Sequence, residues 1–234
     1  MGLLTDIPFR IDRNELLKRL HLENGDEMAA DLLELAGRAE SAARPKAIYD
    51  CVAIELKDAA GIVAGGVRFN SHAMAANLRE TDRIYPYVCT CGAELDTLAV
   101  ADDGGFGQFC LDVIKEMALR RSMEALHARL LDEFKLEKKA SMNPGSGDRR
   151  LWPLEEQGVL FGLLGNVTES IGVILTESWL MMPNKSVSGF YFKTDKTYHN
   201  CQLCQRQPCP NRRAPFDPIL WESNMAGSAT ASCS

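Results

Sequence analysis

The sequence predicts an α+β domain, with a mainly antiparallel sheet and flanking helices. Three observations predict it. The apolar period switches repeatedly between the three-to-four-residue spacing of an amphipathic helix and the two-residue spacing of a strand. One early pair of short apolar runs is joined by a tight turn, which only antiparallel neighbours allow. Regularly spaced strand–helix–strand units, the mark of a parallel sheet, are absent from the pattern. At 234 residues and 46% hydrophobic content, the chain is long enough for one sizeable core with a decorated end.

Taken in order, Asp12 with Glu15 three residues on forms a capping-box pattern ahead of Leu16, Leu17 and Leu20, so a helix starts there. A second helix fits 27–43, with Met28, Leu32, Leu35 and Ala39 on one face and Pro45 as its stop. Residues 47–56 read as a strand and 61–69 as its hairpin partner. Ser71 caps a short helix ending near Arg79. Residues 84–90 read as a strand in which Pro86 argues for an edge or a bulge. From 106 to 138 the pattern is helical, with Phe109, Val113, Met117, Leu126, Leu130 and Phe134 as its apolar stripe. Residues 141–152 are a loop by composition and 154–164 a helix. Strands over 172–181 and 187–192 complete the domain. Three parts are expected: a domain over 1–192, a cysteine-rich appendage over 193–222 and a flexible tail over 223–234.

A net charge of -6 argues against nucleic acid as a partner, because a phosphate backbone rewards basic surface. The N-terminus lacks the basic segment and apolar core of a targeting signal. No run of 18 apolar residues occurs, so no membrane span is expected. The expected location is the cytoplasm. There, eight cysteines are not read as four disulfides. Cys89 and Cys91, alternate residues of one strand, and Cys51 and Cys110, in apolar runs, read as core. His21, His72 and His127 read as surface histidines.

Cys201, Cys204 and Cys209 form a C-x2-C-x4-C pattern with His199 just before it. Thiolates at this spacing suit one soft metal. Zinc needs a fourth ligand, which His199 or Cys233 can supply. An iron–sulfur cluster needs a fourth thiolate, from Cys89, Cys91 or Cys233. An iron–sulfur cluster is slightly favoured.

Two stretches are distinctive. LTESWLMMPNKSVSGFYF (175–192) runs from Thr176, Glu177 and Ser178 through Pro183 to Ser186, Val187, Ser188, Gly189, Phe190 and Tyr191. NPGSGDRRLWPLEEQGVLFGLLG (143–165) is a Pro-Gly loop leading into a helix. Together with the weaker 69–96 stretch and the IPFRIDRNELLKRL opening, they resemble the reactivation domain of cobalamin-dependent methionine synthase, here in a stand-alone form. The likeness extends to about Tyr198.

That resemblance implies binding of S-adenosylmethionine, whose methyl is presented to cob(II)alamin held by another module. The implied partner is a corrinoid-binding methyltransferase, or a methionine synthase lacking its own activation domain. The implied electron donor is a protein such as a flavodoxin. An alternative from a different class is a corrinoid-protein binding or electron-transfer module with a metal site and no S-adenosylmethionine chemistry.

Gly145 and Gly147, framed by Asn143, Ser146 and Asp148, can expose backbone N–H and C=O groups to a carboxylate and an adenine edge. Asp148 or Glu177 can hold the ammonium, and Tyr191 or Tyr198 can supply a ring with a polar tip. The chain departs from the family's loop pattern, in which an arginine, three further residues and then Gly-Tyr follow in order. Ser141 and Ser146 stand at those places, and Arg149 or Arg150 just downstream are the candidates to replace the arginine.

Overall fold

In the computed structural model, residues 1–23, 26–100, 104–146, 151–196, 198–209 and 212–226 are described. The chain opens with strand β1 (Gly2–Leu4) and helix α1 (Arg13–Arg19), whose N-cap Asp12 accepts from the backbone N–H groups of Asn14 and Glu15. That carboxylate satisfies two donors that a helix start otherwise leaves orphaned. Helix α2 (Glu27–Ala42) follows, then strands β2 (Lys46–Tyr49), β3 (Val52–Asp58), β4 (Gly61–Ala64) and β5 (Val67–Asn70). Helix α3 (His72–Asn77), capped by Ser71 Oγ, leads into β6 (Arg83–Thr90) and the long helix α4 (Phe106–Phe134). The second half holds β7 (Lys139–Met142), α5 (Glu156–Leu164), α6 (Val167–Ile171), β8 (Ile174–Leu175), β9 (Met181–Met182), β10 (Ser186–Lys193) and α7 (Pro218–Ala226).

The expected α+β architecture is what forms. Eight strands make one sheet in which every pairing is antiparallel, with β6 near its centre. Strands β2 and β3 lie in succession along one side of β6, and β10 along the other, with β7 outside β10. Alternation along the central strands divides the core in two. Tyr85, Tyr87 and Cys89 of β6 and Tyr191 of β10 pack with Leu126 and Leu130 of α4. Ile84, Val88, Phe190 and Phe192 pack on the opposite side with Trp152, Leu160, Leu164 and Ile171. A third cluster joins α1, α2 and the first half of α4.

Several expectations change. The single strand expected over 47–56 is two, interrupted at Asp50 and Cys51 opposite Pro86. The Asp50 N–H donates to the Pro86 carbonyl at 3.0 Å. Pro86 therefore turns its missing donor toward the interruption, and so a proline sits in a central strand without costing a ladder bond. The run 61–69 is likewise two strands, folded at Gly65 and Gly66, whose φ values of 59° and 72° favour glycine. The strand expected over 172–181 is instead the hairpin β8–β9. Phe109 is 57% exposed, and Cys110, Ile114 and Met117 face inward in its place. His127 is no surface histidine: its Nε2 pairs with the Tyr191 hydroxyl. Cys110 is in the core, and Cys51 is half-buried.

The appendage shares the main core, because Tyr198, Leu203, Leu220 and Trp221 pack into it. Residues 223–226 continue α7 rather than starting a tail, and 227–234 lie outside the described residues. No helix among the described residues is long and apolar enough to cross a membrane.

Candidate functional site

The loop leaving β7 is tied down on three sides. Gly145, at φ 70°, donates its N–H to the Trp152 carbonyl at 2.9 Å, and Ser146 donates to the Asn143 carbonyl at 3.1 Å. Asn143 is the keystone. Its Nδ2 donates to the Tyr87 hydroxyl at 3.0 Å and to the Ser188 carbonyl at 2.7 Å. Its Oδ1 accepts from Asn200 Nδ2 at 3.0 Å. Gly189 makes this possible, since a Cβ there would overlap both the Met142 carbonyl and the Asn143 amide. The Ser188-Gly189 pair thus lets a half-buried asparagine join two neighbouring strands and the appendage.

A second chain of bonds fixes the hairpin. Ser188 Oγ donates to Gln157 Oε1 at 2.7 Å, and Gln157 Nε2 donates to the Trp179 carbonyl at 2.6 Å. The hairpin turn is closed by Thr176, whose N–H donates to the Leu180 carbonyl at 2.8 Å while its Oγ1 accepts from the Leu180 N–H at 3.1 Å. The Trp179 ring covers Gly158, where a Cβ would overlap it.

Between loop, hairpin and β10 lies an open concavity of about 340 Å³. Leu154, Leu180, Met181, Met182 and Val187 supply its apolar lining, and Asn143, Gln157, Asn184, Ser186 and Ser188 its polar lining. Leu180 and Met182 are 56% and 44% exposed, so its rim is apolar as well. No cationic side chain among the described residues lines it.

Beneath the sheet, Tyr87 and Tyr191 stack with ring centroids 4.6 Å apart, and the His127 ring meets Tyr191 edge-on. Burial pushes the Tyr87 phenol up to about 12 and Tyr191 further still, the latter aided by neighbouring Tyr87. Burial, then Lys139, moves His127 down from its ordinary value of 6.5. Burial also raises both Cys89 and Cys91 to about 12. Thiols held protonated this way are inert, which agrees with their reading as core residues.

Of the residues singled out as cofactor-binding, Asn143 lines the concavity, although all its side-chain donors and acceptors in this network face protein. Gly145 and Ser146 form the adjoining turn. Gly147, Asp148, Arg149 and Arg150 lie outside the described residues. Glu177 stands exposed in the hairpin turn, not on a strand. Tyr191 is under the sheet beside α4, and Tyr198 packs against Phe192 in the main core with centroids 6.3 Å apart. Neither ring lines the concavity.

The metal-ligand set expected from His199, Cys201, Cys204 and Cys209 is not formed. Among the described residues no group of three or more His, Cys, Asp or Glu side chains could hold a metal ion. The loop is organised instead by Arg212. Its Nη1 donates to the carbonyls of Cys201 (3.0 Å) and Ala214 (3.3 Å), and its Nη2 to those of Cys204 (3.0 Å) and Arg206 (2.6 Å). Cys201 Sγ accepts from the Arg213 N–H at 3.4 Å. Cys233, offered as a fourth ligand for either zinc or an iron–sulfur cluster, lies outside the described residues. Sequence reasoning missed Gln157, Asn200, His127 and Arg212. Only Gln157 left a usable signal, as a polar residue on the apolar face of α5.

Residues 124–212 match the sequence profile of the family described as vitamin B12 dependent methionine synthase, activation domain. Among solved structures, the chain resembles a crystal structure of the MetH reactivation domain bound to AdoHcy. It is 17% identical, with a TM-score of 0.52 over 85% of this chain and 81% of that one. No curated protein matches. At that identity the structural likeness speaks for the fold. The chain has the fold of the methionine synthase activation domain, and its residues 124–212 carry that family's sequence pattern.

Proposed function

We propose that the protein takes part in reactivating a corrinoid-dependent methyltransferase of the methionine synthase type, by presenting the methyl of S-adenosylmethionine to a corrinoid held by a partner. The observation that carries this reading is the concavity bounded by the Asn143–Ser146 turn, the β8–β9 hairpin and β10. It is built from the two stretches that carry the family likeness, and the similar MetH domain is described as bound to AdoHcy.

The residues of the chain divide the work. Leu154, Met181 and Val187 offer apolar surface to an adenine or a thioether chain. The positive-φ turn at Gly145, its N–H tied to the Trp152 carbonyl, holds Asn143 and Pro144 at the edge of the concavity. Exposed Leu180 and Met182 form a rim that a docking partner would cover, excluding water from the methyl. The electron required comes from an outside donor such as a flavodoxin.

Calorimetric titration of S-adenosylmethionine and S-adenosylhomocysteine into the full chain tests this. Saturable binding is expected, weakened at least tenfold by Leu180→Asp with the melting temperature unchanged. Absence of binding at millimolar ligand removes the methyl-presenting role.

One observation favours a second reading, a corrinoid-protein binding module without S-adenosylmethionine chemistry. The concavity has no cation among its described lining residues to pair with a ligand carboxylate. On that reading, a corrinoid methyltransferase co-elutes with the chain while the nucleoside titration stays flat.

A further inference from the structure

The cysteines of the appendage are left without a role by the site above, and their arrangement gives them one. Cys201 lies in a 3₁₀ turn, Asn200–Leu203, and Cys204 caps its end, donating its N–H to the Cys201 carbonyl at 3.2 Å. In such a turn residues three apart eclipse one another, and a rise of about 2.0 Å per residue sets their Cα atoms roughly 6 Å apart. This lies within the ~4.4–6.8 Å span a disulfide bridges. Both thiols are half-buried.

The backbone carrying them is held by one guanidinium. Arg212 takes the carbonyls of both Cys201 and Cys204, which fixes the backbone that spaces the two thiols. Cys209 lies outside the turn, and its carbonyl accepts from the Arg212 backbone N–H at 3.3 Å. Cys89, Cys91 and Cys110 are at most 1% exposed and out of reach of a bulky reagent.

We infer that Cys201 and Cys204 are a reversible dithiol–disulfide pair that exchanges with a low-molecular-weight disulfide. One deprotonated thiol attacks a sulfur of the reagent, breaking its S–S bond and releasing one thiolate. The second cysteine sulfur then attacks the mixed disulfide, forming the Cys201–Cys204 bond and releasing the other thiolate. Two cysteines give up two electrons and two protons, and one small disulfide becomes two small thiols. Asn200, next to Cys201, holds the Asn143 keystone at 3.0 Å, which places the pair one residue from the candidate site.

The test uses the full chain, reduced and freed of reductant, then equilibrated with oxidised glutathione, quenched with N-ethylmaleimide and mapped by mass spectrometry. The expected product is a Cys201–Cys204 linked peptide that disappears with dithiothreitol. It is abolished by Cys201→Ser and by Cys204→Ser, and retained by Cys209→Ser. Wild-type mapping alone decides the matter if a variant misfolds. Three results overturn the inference: linkage of either cysteine to Cys209 in preference, glutathione adducts without a bridge, or thiols that react only after stoichiometric zinc or iron is chelated away.

Discussion

Strand β10 and the cysteine loop that follows it are both rich in sequence motif, yet they use their residues in opposite ways. In β10 almost every side chain is engaged. Ser188 holds Gln157, Gly189 makes room for Asn143, Phe190 fills the core and Tyr191 stacks on Tyr87. In the cysteine loop Arg212 gathers backbone carbonyls, while Asn200, Gln202 and Leu203 tie the turn to its surroundings. The cysteine side chains take little part. A motif whose side chains fill the core specifies a fold, while one whose thiols stand half-buried at the surface leaves room for chemistry.

The largest expected effect lies on the β10 side. Phe190 is fully buried, so Phe190→Ala should cost about 3–5 kcal/mol, read as a fall in the denaturant midpoint of the whole domain. Next comes Asn143→Ala, which strands the Tyr87 hydroxyl and the Ser188 carbonyl. A loss of about 2–3 kcal/mol is expected, together with weakened nucleoside binding. If the variant melts like the wild type, the keystone role fails.

Arg212→Lys should act only locally. A point-charge ammonium cannot span four carbonyls as a planar fork does. Hydrogen exchange at residues 199–209 should quicken, with a local cost of about 1–2 kcal/mol, while the midpoint of the sheet stays put. Global destabilisation would erase the contrast between the two regions.

The smallest effect is pH-dependent. His127 pairs with the Tyr191 hydroxyl through Nε2, and its pKa is lowered in the folded state by burial and by Lys139, with Glu124 opposing. Above 6.5 the ring is neutral in both folded and unfolded chains, so it adds no pH dependence. Below 6.5 the unfolded chain binds more protons, and stability falls with pH until the folded-state pKa is reached. His127→Gln should flatten this part of a urea-melt pH profile. An unchanged profile would mean the ring is already solvated.

The pattern of residue types made the architecture legible, and it did so where packing follows periodicity. Capping by Asp12 and Ser71, the helices expected over 27–43 and 106–138, and β10 follow from local pattern, although the long helix stops at Phe134, where Lys135 turns left-handed. What could not be read was long-range. Pro86 looks like an edge residue until the Asp50 interruption is seen opposite it. Phe109 continues the apolar stripe but faces outward, because the helix turns Cys110 and Ile114 inward instead. Residues 172–181 are apolar enough for a strand, and only the Thr176–Leu180 bonds show a hairpin.

The site divides in the same way. Its position between the Gly145 turn and β10 could be read from the motifs. The partners of Asn143 come from positions 56, 45 and 57 residues away, and no local pattern carries such pairings. In the cysteine loop too, spacing says which thiols are neighbours in sequence and nothing about Arg212 lying among their carbonyls.

The central claim is that the concavity beside β10 holds a nucleoside thioether ligand. The measurement that tests it most directly is a calorimetric titration of S-adenosylhomocysteine into the wild-type chain and Leu180→Asp in parallel. Saturable binding by the wild type, weakened at least tenfold in the variant at equal stability, is the predicted result. Flat titrations of both, or binding indifferent to Leu180, would contradict it.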